Sequence, residues 1–178
     1  MVLEGLITPL KAEQRPWILL LIGLLYSTLG ILVARWIFNE YSTIVMVFLI
    51  VLPSVPLMYA IIKLEEKKDL QLSDERSRLI QHSKALSAFI FLFLGISLGL
   101  TLWFIFSPDH ISAHLFKSQL DTISQINGAA SQFGAFGEIL INNIKVLAFC
   151  ILFSFFYGIG AIFILTWNAS VIAAAIGT

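Results

Sequence analysis

The chain has 178 residues, of which 58% are hydrophobic and only 12% charged, with a mean hydropathy of +0.92. A soluble domain carries about 25% charged residues, so this composition excludes an ordinary water-soluble globule and points to a lipid bilayer as the solvent. Net charge is zero and the single Cys150 lies in an apolar run; there is no basic excess to attract nucleic acid, no intramolecular disulfide and no thiolate metal cluster.

We expect an all-α, polytopic bundle forming a single membrane domain over residues 1–178, with four long spans and a short closing segment. The first span covers residues 17–38. It begins after Pro16, carries Trp17 and Trp36 as interfacial markers, and is interrupted only by Arg35, close enough to its end to snorkel to the headgroups. Its apolar core exceeds the roughly 7–15 residues of a signal-peptide core, so it reads as a span. The second span, 43–62, contains Pro53 and Pro56, each of which removes a backbone donor; a kinked or broken helix is expected.

The connector 63–84 mixes both charge signs. Ser73 and Asp74 are candidate N-caps, and a helix from about Asp74 should run unbroken into the third span, 85–106. That span contains Gly95-Ile-Ser97-Leu-Gly99, a match to the G-x-S-x-G nucleophile pattern. The pattern needs a strand-to-helix turn and a nearby base, whereas this one lies inside an apolar helix and His82, His110 and His114 all lie in connectors, so no catalytic residue is assigned.

An outer segment, 107–137, follows. Asp109, His110 and His114 open it, and two His at i and i+4 can share a metal, but no third ligand is in place and no metal or cofactor is assigned. Between Ser112 and Ile126, Phe116, Leu120 and Ile123 fall on one helical face, with Lys117, Gln119, Asp121 and Gln125 elsewhere. This is the pattern of an amphipathic helix on a membrane or protein surface. Gly128, Gly134 and Gly137 then supply a flexible joint.

The fourth span, 139–166, has a polar start. Glu138, Asn142 and Lys145 share a face with Asn143 adjacent; such a face should meet protein, water or headgroups, and with Asn168 it forms a candidate structural or ligand cluster. The last stretch, Ala169 to Ile176, rises about 12 Å as a helix, too little to cross a core of about 30 Å. A turn at Trp167–Asn168 near the cytoplasmic interface and a half-helix beyond it are expected.

Lys11, Arg15, Lys63, Lys67, Lys68, Arg76, Arg78 and Lys84 fall on one side of this layout; Arg35, Lys117 and Lys145 fall on the other. The bias places the N-terminus in the cytoplasm of a multi-pass cell-membrane protein. Small residues recur at helical spacing: Gly23, Ser27, Gly30 and Ala34; Ala88, Gly95 and Gly99; Ser154, Gly158 and Ala161; Ala169, Ala173 and Gly177. In lipid, where helix association relies on close packing, these stripes read as helix seams within the monomer, with homo-oligomer seams as the other reading.

The run Glu138-Ile-Leu-Ile-Asn142-Asn143-Ile-Lys-Val146, then Gly158-Ile-Gly160, then Trp167-Asn168 and the small-residue stretch to Gly177 resembles the stage II sporulation protein M family, also called DUF95. The likeness is sharp over residues 138–177 and loose over the four-span layout. Relatives often have Gly where this chain has Ala169, and usually continue beyond the final Gly, so the closing stretch would be the first part of a fifth membrane element. The resemblance implies a non-enzymatic membrane component; in sporulating bacteria the family member localises peptidoglycan-degrading proteins. Two function classes follow. One is a scaffold or assembly factor whose partners are the bilayer and other membrane proteins. The other is a transporter or channel subunit with a polar site near Asn142, Asn143 and Asn168, built on a broken second helix and the Trp167–Asn168 turn.

Overall fold

The computed structural model describes residues 8–38, 42–70, 74–128 and 159–178, together with residues 137, 140, 141, 143–145, 147, 148, 151 and 152. The described chain is helical, with no strand among these residues. Its elements are α1 (Pro9–Gln14), α2 (Trp17–Ile37), α3 (Ser42–Asp69), α4 (Glu75–Phe106), α5 (Asp109–Leu115), α6 (Lys117–Gly128) and α7 (Ile159–Gly177). Four of them, α2, α3, α4 and the stretch Gly160–Gly177, are long and apolar enough to cross a membrane.

The burial pattern explains why lipid is required. On α2 the buried face is Leu19, Ile22, Gly23, Tyr26, Ser27, Gly30, Ile31 and Ala34, a single helical stripe. The opposite face is equally apolar, with Leu21, Leu25, Leu29 and Leu32 at least 40% exposed. Leu86, Ile90, Leu94 and Leu98 repeat this on α4. Apolar side chains along both faces of a helix pack against protein on one side and hydrocarbon on the other; in water they would form an exposed patch far beyond what soluble monomers carry. Trp17 and Trp36 stand exposed at the two ends of α2, about 28 Å apart along the axis, the spacing of the two membrane interfaces.

Both α3, at 28 residues, and α4, at 32, exceed the bilayer and project together as a charged stub. Asp74 caps α4 by accepting from the Ser77 amide at 3.2 Å, so this helix does run from the connector into the third span. The helix of the second span extends beyond residue 62 to Asp69, and it continues without a break through Pro53 and Pro56. Of the kinked or broken helix expected, the break does not form: α2, α4 and α7 pack along α3 and support it across the two missing amide donors.

At the other end, the outer segment forms two helices rather than one. Phe116 sits at the corner between α5 and α6, fully buried and 5.0 Å edge-on from Phe104. Gln119, expected on the polar side, is fully buried and donates to Ser170 Oγ at 2.9 Å. The helix α6 therefore lies on α7, with Leu120 and Ile123 packed toward the core.

The closing stretch also differs from expectation. Trp167 and Asn168 lie inside α7, so there is no turn at this point and no separate half-helix; the small residues Ala169, Ala173 and Gly177 are its second half. The helix ends with Gly177 against the Phe104 ring. With its last residue, Gly177, against Phe104 near the end of α4, α7 runs along α4 in the same direction, toward the end occupied by α5.

Candidate functional site

Among the described residues, polar or close-packed groups come together at the α2–α4 seam, in the charged stub and at the corner beneath α5.

At the seam, the glycines set the interhelical distance. A methyl group built on Gly95 would lie 2.1 Å from the Leu20 carbonyl oxygen, and one on Gly23 would lie 2.6 Å from the Leu92 oxygen. On Gly99 it would meet Ser27 Oγ at 1.9 Å, while on Gly30, which faces α3 instead, it would meet Ile50 Cγ1 at 2.7 Å. The backbones of α2 and α4 are in direct contact, the geometry by which small residues bind helices in lipid. Ala34 and Ala88 are fully buried and Ala161 half-buried; Ser154 and Gly158 lie outside the described residues. Ser97 is partly buried on α4 with an Oγ that has no hydrogen-bond partner among the described residues. His82 pairs with Glu65 and His114 with Ser42, so neither serves Ser97 as a base.

In the charged stub, α1 is fixed by one residue. Thr8 caps it and Pro9 occupies its first turn, which carries Glu13 into the angle between α3 and α4. The nearly buried Glu13 carboxylate accepts from Lys68 Nζ and from Gln81 Nε2 at 2.7 Å, with Lys84 Nζ at 3.6 Å. Burial alone would raise its pKa, but the hydrogen bonds from Lys68 and Gln81 and the two ammonium charges outweigh it, so Glu13 is held below the usual carboxylate value. Around it, His82 pairs with Glu65, Lys63 with Glu66 at 2.6 Å and Arg78 with Asp69 at 3.7 Å. No sequence periodicity announces this staple, because its partners lie 55 and 68 residues from Glu13.

Beneath α5, Ser42 Oγ lies 3.1 Å from His114 Nδ1 and Thr43 Oγ1 donates to the His114 carbonyl at 3.1 Å. Ser112 Oγ donates to the Phe104 carbonyl at 2.9 Å. These bonds tie α5 to the start of α3 and the end of α4. Below it opens a cleft of about 300 Å³ lined by Arg35, Ser42, His110, Ile111, His114 and Leu115.

The polar start of the fourth span is only partly in view. Glu138 and Asn142 lie outside the described residues; Asn143 and Lys145 are exposed, as are Leu140, Ile141 and Ile144 beside them. Asn168 Nδ2 donates to the Ile164 carbonyl of its own helix at 3.0 Å. Among the described residues no three His, Cys, Asp or Glu side chains gather into a metal-binding group.

Comparison with curated proteins and with solved structures finds no match. A family model does match: that of stage II sporulation protein M, over residues 82–178. The matched region holds α4 from His82 onward, both helices α5 and α6, and α7 to its end. With more than half of the chain inside the match and four helices fit to cross a bilayer, this integral membrane protein belongs to the stage II sporulation protein M family.

Proposed function

We propose that this family member is a non-enzymatic scaffold or assembly factor that holds other membrane proteins in a complex. The observation that carries this reading is the α2–α4 seam. Its backbone contacts at Gly23, Gly95 and Gly99 give a rigid frame, with the ion pairs at one end and the α5 corner at the other. The transport reading called for two discontinuous helices around a midplane polar site. Both segments in question run unbroken, α3 through its prolines and α7 through Trp167–Asn168.

Cross-linking in native membranes, followed by purification in mild detergent and mass spectrometry, tests the proposal. A defined set of membrane proteins should cross-link in fixed ratio, with a second copy of this chain as one outcome the same experiment reads. Solute flux through proteoliposomes of the purified protein, above that of empty liposomes, would overturn the scaffold reading.

We also infer that the N-terminus is cytoplasmic. All eight basic residues counted on that side belong to α1, its flank or the α3–α4 stub, and such a cluster favours the cytoplasmic face. In a Cys150→Ser background, a cysteine at Arg76 should resist a membrane-impermeant maleimide on intact cells, whereas one at His110 should react; the reverse pattern would invert the topology.

A further inference from the structure

We propose that the cleft beneath α5 binds a phosphate oxyanion of the kind carried by a phospholipid headgroup. Its position supports this first. Arg35 lies in the last turn of α2, one residue from Trp36, whose indole is 83% exposed at one of the two interfaces marked by α2. Lipid phosphates occupy that level.

The second support is the set of donors. Arg35 is exposed and has no ion-pair partner among the described residues, and its guanidinium fork matches a phosphate's geometry. His110 and His114, one helical turn apart on α5, line the same cleft. When the Ser42 hydroxyl donates to His114 Nδ1, the ring proton resides on Nε2, so even the neutral imidazole keeps an N–H to offer an anion. Asp109, the neighbouring carboxylate on α5, does not line the cleft.

The third support is that the wall is built rather than incidental. Hydrogen bonds from Thr43 to His114 and from Ser112 to Phe104, with the Ser42–His114 contact, hold α5 over the corner of α2 and α3. A lone interfacial arginine snorkels; here it shares about 300 Å³ with the His110 imidazole and with that of His114, which Ser42 holds, room for a phosphate and part of its glycerol. At the same end of the bundle, Leu102, Trp103 and Phe106 line an apolar cleft of about 260 Å³, suited to the top of an acyl chain.

The test uses full-length protein, delipidated in dodecyl maltoside and titrated with dioleoyl phosphatidylglycerol by native mass spectrometry. Arg35→Gln and His110→Gln alter exposed side chains and leave the bonds that hold α5 in place. Each should weaken the first lipid adduct about tenfold, the scale of one lost charge-assisted hydrogen bond. Arg15→Gln, at the far interface, should bind as the parent does, and dioleoylglycerol, which lacks the phosphate, should not distinguish the variants. Inorganic phosphate competing for the adduct identifies a free anion as a sufficient ligand; failure to compete assigns the site to the lipid. Equal phosphatidylglycerol affinity for the parent and Arg35→Gln would overturn the proposal, as would an equal loss in Arg15→Gln.

Discussion

Replacing Gly95 by alanine is the most direct perturbation of this fold. The added methyl would stand 2.1 Å from the Leu20 carbonyl oxygen and 2.8 Å from both Leu20 C and Cα, where ordinary contact begins at 3.4 Å. These are backbone atoms of a regular helix and no rotamer moves them aside, so α2 and α4 must separate by roughly 1.3 Å at this point. A radial gap of about 0.5–1 Å already forfeits a quarter to a half of each dispersion contact. The neighbouring contacts at Gly23 and Gly99 lie on the same seam and weaken with it. Overpacking costs about 1–3 kcal/mol, and the backbone obstacle places Gly95→Ala near 3 kcal/mol. Reversible unfolding in mixed dodecyl maltoside and SDS micelles measures it. Two comparators calibrate the result. Gly30→Ala meets first a side-chain atom, Ile50 Cγ1 at 2.7 Å, and should cost about 1 kcal/mol, while Gly137→Ala enters open space and should be neutral. A Gly95→Ala variant as stable as the parent, or a Gly30→Ala variant equally damaged, would refute the seam as described.

Gly99→Ala should also destabilise, and Ser27→Ala in the same chain should recover most of the loss, because the first obstacle is Ser27 Oγ at 1.9 Å; additive losses in a double-mutant cycle would count against that contact. Glu13→Gln should cost about 1–3 kcal/mol at pH 7. Since Glu13 is held below its ordinary 4.5, its contribution is present above that pH and is lost as the pH falls through the folded-state value. The gap between parent and variant, followed in the same unfolding assay from pH 7 to about 3, should therefore close on the acid side; a constant gap would refute the linkage. Ser170→Ala should destabilise more than Gln119→Leu, as the first leaves a fully buried amide without its partner while the second also removes the Gln119 Oε1 that has no partner among the described residues. Equal losses would show that this hydrogen bond does not lock α6 to α7.

Much of the architecture was legible from local signals. The start of α2 follows Pro16, the start of α4 follows the Asp74 cap, and the small-residue stripe from Gly23 to Ala34 lies on one buried face. The burial of Gln119 was not legible: periodicity assigns a side chain to a face by its own polarity, and the hydroxyl that receives it lies 51 residues away. The passage of α3 through Pro53 and Pro56 was equally hidden, since the cost of a missing amide depends on what packs around the helix. The Glu13 staple leaves no pattern at any helical spacing, and of the cleft only the i, i+4 pair His110 and His114 does; that Arg35 joins them from another helix is a matter of tertiary contact.

Residue order was enough to set the solvent and the helical class, because the transfer of apolar side chains from water to hydrocarbon sums along the chain and needs no knowledge of neighbours, and its local motifs were enough to point to the family. Tertiary structure alone decided which helices touch, that α7 is one continuous span-length helix, and which polar groups meet at the two ends of the bundle. Contact between distant segments depends on shape and distance, and a one-dimensional pattern of polarity contains neither.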